Sequence, residues 1–280
     1  MKIVKKKTLV FPDRPDPFPD KTFYPRHHYD NPKRIIKKDC DVYLENHKNQ
    51  QQRLLFSYRK NVLSNLDTLS LFQEHLIHPL LTSNMRGAAS ADTTKRVNSG
   101  ILGYYDRWTP QMKKELYGNP LPNGRPTMFT ERYPERFKAV LPVFQQLSKW
   151  YRETLPDQYR IQKKVMDSVP KEFRIPKTVF TTITVNRDWQ TAAHRDKGDL
   201  EEGMSCLAVI GENFRGGALG FPDYKILVEM EPGDAILMNS HELHGNTEIS
   251  PQDPSKPMTR FSMVCYIRTG LVLQDNILKK

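Results

Sequence analysis

Cysteine is scarce in this chain, and the residues present form no pattern. The 280 residues include only three, Cys40, Cys206 and Cys265. Their spacings fit neither a disulfide framework nor a zinc site. Cys206 and Cys265 also lie among apolar, strand-like residues. We therefore expect free thiols in a reducing compartment, which argues against a cross-linked secreted protein.

Long hydrophobic runs are also missing. No segment is apolar for the length of a bilayer crossing, and the charged residues at the start include no apolar run of signal-peptide length. Internal repeats and low-complexity tracts are absent as well. We expect a soluble, intracellular, monomeric protein without membrane contact, nuclear in a eukaryote and cytoplasmic otherwise.

Negative charge is in the minority. Lys and Arg number 43 against 32 Asp and Glu, a formal net charge of +11, and the pI is about 9.4. Basic residues cluster at 5–7, 33–38, 113–114 and 163–164. Such clusters release counterions when they neutralise phosphates, so the composition favours a nucleic-acid partner without choosing DNA or RNA. A solvated basic face is the alternative.

The N-terminal segment differs in composition from the remainder. Residues 1–48 are rich in proline and charge, which predicts an extended basic arm over the core. The remaining 49–280 fit one large domain.

Apolar spacing within that domain predicts helices first and strands afterwards. A helix is expected within 50–80, a second over 133–155 that Pro142 kinks or divides, and a third over 157–168. From Thr178 onward, short apolar runs alternate with glycine and proline turns, as in a sandwich or barrel. The pattern predicts an α+β protein: helical support over about 49–175 bracing a jelly roll over about 176–270.

Two histidines and an aspartate form the main candidate site. The segments TAAHRDKGDL and NSHELHGN contain His194, Asp196 and His244. Two imidazoles and one carboxylate on one side of an ion leave three coordination positions open, the arrangement of non-haem Fe(II) sites. His241 is a competing distal ligand, and ordinary hydrogen-bonded histidines are the plainer interpretation.

The same His-x-Asp spacing occurs once more, at His28 and Asp30. This copy lies among prolines without strand-like alternation, so we interpret it as a surface segment. The copy at His194 instead follows a Thr-, Val- and Ile-rich stretch that is typical of a strand.

A strand over 259–268 would have two unlike faces. One face is apolar: Phe261, Met263, Cys265 and Ile267. The other is mostly polar: Arg260, Ser262, Val264, Tyr266 and Arg268. A buried sheet tolerates such a face only if something polar binds there. The planar guanidinium of Arg260 suits the remote carboxylate of 2-oxoglutarate, whose keto-acid end would chelate the metal.

Six segments together resemble a known family. SGILGYYDRW, GRPTMFT, AHRDKGD, GGALGFPDY, PGDAILMNSHELHGN and RFSMVCYIR are similar to the ten-eleven-translocation and J-binding-protein (TET/JBP) family, over roughly 80–270. The resemblance implies a double-stranded β-helix braced by helices. It also implies oxidation of the methyl group of 5-methylcytosine or thymine, with Fe(II), 2-oxoglutarate and O2. Some relatives use ascorbate as co-substrate.

The resemblance also implies roles for single residues. His194, Asp196 and His244 match the metal ligands, and Arg260, with Ser262 beside it, matches the anchor of 2-oxoglutarate. The remaining matches are Tyr266 as the platform for a base taken out of the stack, Asp199 and Arg268 as base contacts, Arg86 as a further co-substrate contact and Asn98 as a substrate contact. Arg268 departs from the family, which usually has His there. There are alternatives for three of these residues: Tyr266 is then a core tyrosine, and Arg86 and Asn98 have structural roles.

The polar pair Asp199 and Arg268 bears on the choice of base. An ionised Asp199 can only accept and Arg268 can only donate, which suits 5-methylcytosine better than thymine. A protonated carboxyl group or a bridging water would remove this inference.

Two other functions stay open on the sequence alone. The same iron chemistry could act on a protein side chain or a small molecule, and a silent nucleic-acid-binding module would need no iron. The basic composition and Tyr266 favour nucleic acid, and the family resemblance implies DNA before RNA. No separate DNA-reading module such as a zinc finger is visible in the sequence.

Overall fold

The computed structural model describes residues 7–13, 15–46, 48–63, 67–76, 89, 97–106 and 124–272. Four helices in this described part of the chain precede most of its strands: α1 (Thr68–Leu76), α2 (Met128–Arg132), α3 (Pro134–Thr154) and α4 (Pro156–Met166). The strands are β1 (Lys7–Pro12), β2 (Ile35–Ile36), β3 (Cys40–Glu45), β4 (Gln52–Arg59), β5 (Ser99–Tyr105), β6 (Arg125–Pro126), β7 (Thr182–Arg187), β8 (Ser205–Glu212), β9 (Phe214–Gly216), β10 (Leu219–Phe221), β11 (Ile226–Val228), β12 (Ala235–Met238), β13 (Gly245–Asn246), β14 (Ile249–Pro251) and β15 (Thr259–Tyr266).

These strands form one large sheet and two small ones. The large sheet has nine strands in the order β1-β3-β4-β12-β8-β15-β7-β5-β6, and a four-stranded sheet has the order β13-β10-β11-β2. Strand β15 lies near the centre of the large sheet and pairs antiparallel with both β7 and β8. Strands β14 and β9 pair separately.

The two larger sheets enclose one apolar core. Side chains from β4, β8 and β12 meet side chains from β10 and β11 there. Phe56 and Phe221 stack across the gap with ring centroids 5.4 Å apart. This face-to-face arrangement confirms the predicted α+β jelly roll, because each sheet buries its apolar side against the other.

A second core lies on the opposite face of the large sheet, under helix α3. Phe144, Leu147 and Tyr151 of the helix pack with Met263 of β15. The predicted apolar stripe is therefore confirmed. Of the two effects expected at Pro142, a kink or a division, the division is wrong, since α3 is one helix of 21 residues. Buried residues before and after the proline press the helix against the sheet, which offsets the lost hydrogen bond.

The predicted helix within 50–80 is wrong in its first part. Residues 52–59 form strand β4, which pairs with β3 and β12, and a helix begins only at Thr68. Leu55, Phe56 and Tyr58 are all fully buried. The sequence of a strand that is buried on both faces is a continuous apolar run. Hydrophobic periodicity alone does not distinguish such a run from a buried helix.

The N-terminal segment contributes strands to the fold. β1 pairs parallel with β3 at the edge of the large sheet, and β2 pairs parallel with β11 in the small one. This part of the chain is therefore built into the sheets, whereas the sequence predicts an arm lying over them. No helix of the described residues is long and apolar enough to cross a membrane.

Candidate metal centre and its cavity

A cavity of about 500 Å³ opens between the two larger sheets. Its lining includes His194, Asp196 and His244, together with the polar face of β15. This volume falls within the range of pockets that bind small molecules.

The three predicted metal ligands converge at this cavity. His194 and Asp196 lie in the loop between β7 and β8, and His244 immediately precedes β13. Mutual main-chain hydrogen bonds of 2.8 and 3.0 Å join His194 to His244. The Nε2 atoms of His194 and His244 are 3.7 and 3.6 Å from the Asp196 carboxylate, and the three ligand atoms all lie within 4.8 Å of one another.

Hydrogen bonds orient both imidazoles for binding a cation. The Nδ1 atoms of His194 and His244 each lie 2.8 Å from a carbonyl oxygen, that of Ala192 and of Glu242 respectively. A carbonyl only accepts, so Nδ1 carries the proton and the Nε2 lone pair points toward Asp196. Burial lowers the pKa of His244 to about 4. Its ring is therefore neutral near pH 7, as a metal ligand must be.

The donor set fits a ferrous ion. Two imidazoles and a carboxylate on one side of the cavity match the facial arrangement that leaves three positions open for other ligands. His241 does not join the group, because its main chain bonds to Asn239 and its side chain is absent from the ligand cluster. The geometry therefore favours His244 as the distal ligand.

The second His-x-Asp copy lies apart from this centre. His28 packs edge-on against Phe18, with ring centroids 4.6 Å apart, and Asp30 is exposed. Neither residue lines the cavity.

Arg260 brings a buried cation to the same cavity. Its Nη2 donates to the Gly217 carbonyl at 2.9 Å, while its Nε is buried with no hydrogen-bond partner. Burial lowers the pKa of Arg260 to about 10. A Cβ at Gly217 would lie 2.8 Å from that Nε, so glycine keeps the guanidinium accessible. Ser262, buried on the same strand face, also lines the cavity.

Tyr266 stands farther along this face. The Tyr266 hydroxyl lies 3.2 Å from the Thr184 hydroxyl, which holds the ring in place while it lines the cavity. The arrangement is compatible with a stacking platform.

The surroundings of Asp199 change the argument about its charge. Its Oδ2 accepts hydrogen bonds from the Ser205 and Ser240 hydroxyls at 2.9 and 3.1 Å. Burial, followed by the nearby charge of Asp196, raises the pKa of Asp199 well above 3.8. Burial therefore favours the protonated carboxyl group, which can donate a hydrogen bond, and this weakens the premise that favoured 5-methylcytosine.

Arg268 is already paired. Its Nε and Nη2 donate to the two carboxylate oxygens of Asp106 at 3.1 and 3.3 Å, and its guanidinium lies 4.9 Å from the Tyr105 ring centroid. A Cβ at Gly198 would approach Nη1 to 2.0 Å. The side chain therefore lines the cavity in one fixed orientation.

One predicted residue lies away from the cavity, and another falls outside the described residues. Asn98 precedes β5, its Oδ1 is buried without a partner, and it is not among the described residues that line the cavity. Arg86 lies outside the described residues.

Arg195, which was not predicted from the sequence, connects the loop of His194 and Asp196 to the segment that leads to His244. Arg195 donates to the Asp223 carboxylate at 2.6 Å and to the His241 carbonyl at 3.2 Å. The sequence did offer a sign of this role. Arg195 lies between the ligands His194 and Asp196, and in an extended segment its side chain must point to the opposite side from theirs. Asp106, the partner of Arg268, had no such local signal.

Comparison with known proteins places this site in context. Residues 115–269, more than half of the chain, match the Tet_JBP family model, described as the oxygenase domain of the 2OGFeDO superfamily. Thymine dioxygenase JBP1 of Leishmania braziliensis is 37% identical over 174 residues, which are 62% of this chain and 20% of that protein. Thymine dioxygenase JBP1 of Crithidia fasciculata is 34% identical, also over 174 residues, 62% of this chain and 20% of that protein. The chain thus spans about a fifth of these curated relatives.

A solved structure supports the fold. NgTET1 in complex with 5mC DNA superposes with a TM-score of 0.59, covering 99% of this chain and 90% of that one at 14% identity. At this identity the likeness shows a shared double-stranded β-helix architecture.

Proposed function

This chain belongs to the Tet_JBP family of oxygenase domains, and we propose that it is an Fe(II)- and 2-oxoglutarate-dependent dioxygenase that oxidises the 5-methyl group of a pyrimidine in DNA. One observation carries the proposal: the three-ligand cluster and a buried guanidinium with an unpaired Nε line a single cavity.

The residues divide the binding of iron and co-substrate between them. Through their Nε2 atoms and one carboxylate, His194, His244 and Asp196 would hold the iron. Arg260 would bind the remote carboxylate of 2-oxoglutarate and so satisfy its free Nε. When bound together, Fe(II), 2-oxoglutarate and O2 supply the oxidising power that removes hydrogen from a methyl group.

Arg260 also bears on the identity of the co-substrate. A buried guanidinium needs an anionic partner, and 2-oxoglutarate has a second carboxylate to offer whereas ascorbate has none. We therefore propose 2-oxoglutarate as the co-substrate.

The substrate base must leave the helix to reach this centre. A methyl group inside a duplex is hidden from any metal in a cavity, so the nucleotide has to swing out of the stack. The Tyr266 ring would support the everted base, with a stacking contribution of about 1–3 kcal/mol. The cavity walls would exclude water while the methyl group is held toward the ligands.

Thymine is the base we propose first. The curated relatives named above are thymine dioxygenases. A preference for 5-methylcytosine would need an ionised Asp199, whereas burial raises the pKa of that carboxyl group and favours its protonated form. A protonated Asp199 can donate to a thymine carbonyl, and its other lone pairs can accept from the ring N–H.

Matched duplexes test this proposal. The protein is loaded with Fe(II) anaerobically and then given 2-oxoglutarate, O2 and a duplex that contains thymine, 5-methylcytosine, or only uracil and unmodified cytosine. Nucleosides and succinate are quantified by mass spectrometry. We expect 5-hydroxymethyluracil from the thymine duplex and no product from the duplex without methyl groups.

Two other results would overturn parts of this proposal. Product from 5-methylcytosine alone would overturn the choice of base and keep the reaction class. Absence of any oxidised nucleoside, with succinate release stimulated by peptides or metabolites instead, would overturn the nucleic-acid proposal.

A further inference from the structure

Among the described residues, five Lys and Arg side chains line the cavity, and they are of two kinds. Three are held by the protein: Arg195 pairs with Asp223, Arg268 pairs with Asp106, and Arg260 is buried against the Gly217 carbonyl. The other two are Lys21 and Lys197. Both are exposed, and neither ammonium group has an ion-pair partner among the described residues.

Lys21 is fixed at the cavity mouth by its backbone. It adopts a left-handed conformation with φ of 59°, which is uncommon for a residue with a long side chain. Its N–H donates to the Ala193 carbonyl at 2.6 Å, and the Ala193 N–H donates to the Thr22 carbonyl at 2.9 Å. Ala193 directly precedes the ligand His194. Conformations of this kind persist where the surroundings enforce them, often at functional sites.

Lys197 reaches the same mouth from the ligand loop, where it directly follows Asp196 and precedes Gly198. Its main chain is held by an N–H bond of 3.1 Å to the Arg195 carbonyl. Two segments far apart in sequence thus each place one free ammonium group beside the metal centre. Asp20 also lines the mouth and is exposed, so two cations and one carboxylate face solvent there.

We propose that Lys21 and Lys197 form a phosphate clamp that binds the nucleic-acid backbone next to the everted nucleotide. The inference rests on the proposed function, because a base inside the cavity must leave its own phosphates at the mouth. Free ammonium groups bind phosphate oxygens as point charges and displace counterions from the strand. Arg195 and Arg268 do not serve in this way, since their guanidinium groups are already committed to carboxylates.

The dependence of binding on salt tests the clamp directly. A fluorescent thymine-containing duplex is titrated with the metal-free wild type, Lys21→Gln, Lys197→Gln and the double variant at several salt concentrations. Each lost phosphate contact should reduce the slope of log affinity against log salt by about 0.9. At about 0.1 M salt this corresponds to roughly eightfold weaker binding for each single variant.

Lys177 provides a matched control. It is exposed and has the same φ of 59°, but it does not line the cavity. Lys177→Gln removes the same charge from the same backbone conformation, so its salt slope should equal that of the wild type. If Lys21→Gln fails to fold, Lys197→Gln, which lies in another segment, carries the test.

The outcomes separate this proposal from the proposed function. Unchanged slopes in both clamp variants, or an equal decrease in Lys177→Gln, would overturn the clamp even if the wild type oxidises the duplex. Failure of the wild type to oxidise any duplex would instead overturn the function, whatever the slopes show.

Discussion

The two faces of strand β15 differ in polarity and in what they contact. Phe261, Met263 and Cys265 are fully buried in the core under helix α3. Their alternating neighbours Arg260 and Tyr266, which are buried almost as deeply, line the cavity. One strand therefore separates an apolar core from a polar pocket, with the difference arising at every second residue.

The apolar face contributes to the stability of the fold, whereas the cavity face reduces it. The apolar face buries hydrocarbon, which stabilises the fold by about 25 cal/mol per Å². The cavity face buries a guanidinium whose Nε has no partner, and an uncompensated buried polar group costs free energy. We therefore expect substitutions on the apolar face to lower stability with little effect on co-substrate binding. Substitutions on the cavity face should weaken co-substrate binding with little loss of stability.

The largest effect is expected from Asp196→Ala. Removal of the only carboxylate from the ligand cluster should abolish iron-dependent succinate formation. The melting temperature should not fall, because Asp196 is one-third exposed and its removal takes a negative charge away from the buried carboxyl group of Asp199. His241→Gln is the control and should retain turnover. Wild-type turnover by Asp196→Ala after anaerobic iron loading would contradict the ligand assignment.

Met263→Ala tests the apolar face. The side chain is fully buried in the helix-side core, so its truncation should lower the free energy of unfolding by about 2–5 kcal/mol. Urea denaturation measures this loss. The half-saturating concentration of 2-oxoglutarate should stay at the wild-type value below the unfolding transition. A large change in that concentration with intact stability would contradict the separation of the two faces.

Arg260→Met tests the cavity face with a side chain of similar length. Loss of the buried charge pair with 2-oxoglutarate should cost about 2 kcal/mol or more, a rise of at least roughly thirtyfold in the half-saturating concentration. The free energy of unfolding should change by less than about 1 kcal/mol or increase, because the variant no longer buries an unpaired charge. Normal 2-oxoglutarate dependence in this variant would exclude Arg260 as the anchor.

The smallest effect is a pH dependence from Asp199. Its pKa in the folded protein is raised above 3.8 by burial, so its contribution to stability is complete below that pH and is lost as the pH rises through the folded value. Asp199→Asn cannot titrate. The stability of this variant relative to metal-free wild type should therefore increase as the pH rises, measured by urea denaturation from acid to neutral pH. Parallel stability curves would show that Asp199 titrates normally.

Local patterns predicted much of the site. The ligands His194 and Asp196 follow a strand-like segment, and the alternation of β15 was readable from ten adjacent residues. Such patterns are informative because side-chain direction in a strand depends only on neighbouring backbone. The cavity-facing position of Arg260 and Tyr266 was predicted for this reason and is confirmed.

Other features required contacts between distant segments. Residues 52–59 form a strand because partners on both sides pair with them, although their apolar spacing also suits a helix. The pairing of Arg268 with Asp106 joins positions 162 residues apart.

The sequence by itself indicated the candidate side chains for binding iron and a dicarboxylate, since their chemistry and the alternation of one strand are local properties. Only the tertiary structure decided that His244 joins the cluster in place of His241, that burial raises the pKa of Asp199, and that Lys21 reaches the cavity mouth. Charge state and distance depend on what surrounds a group, and those surroundings come from parts of the chain that meet only after folding.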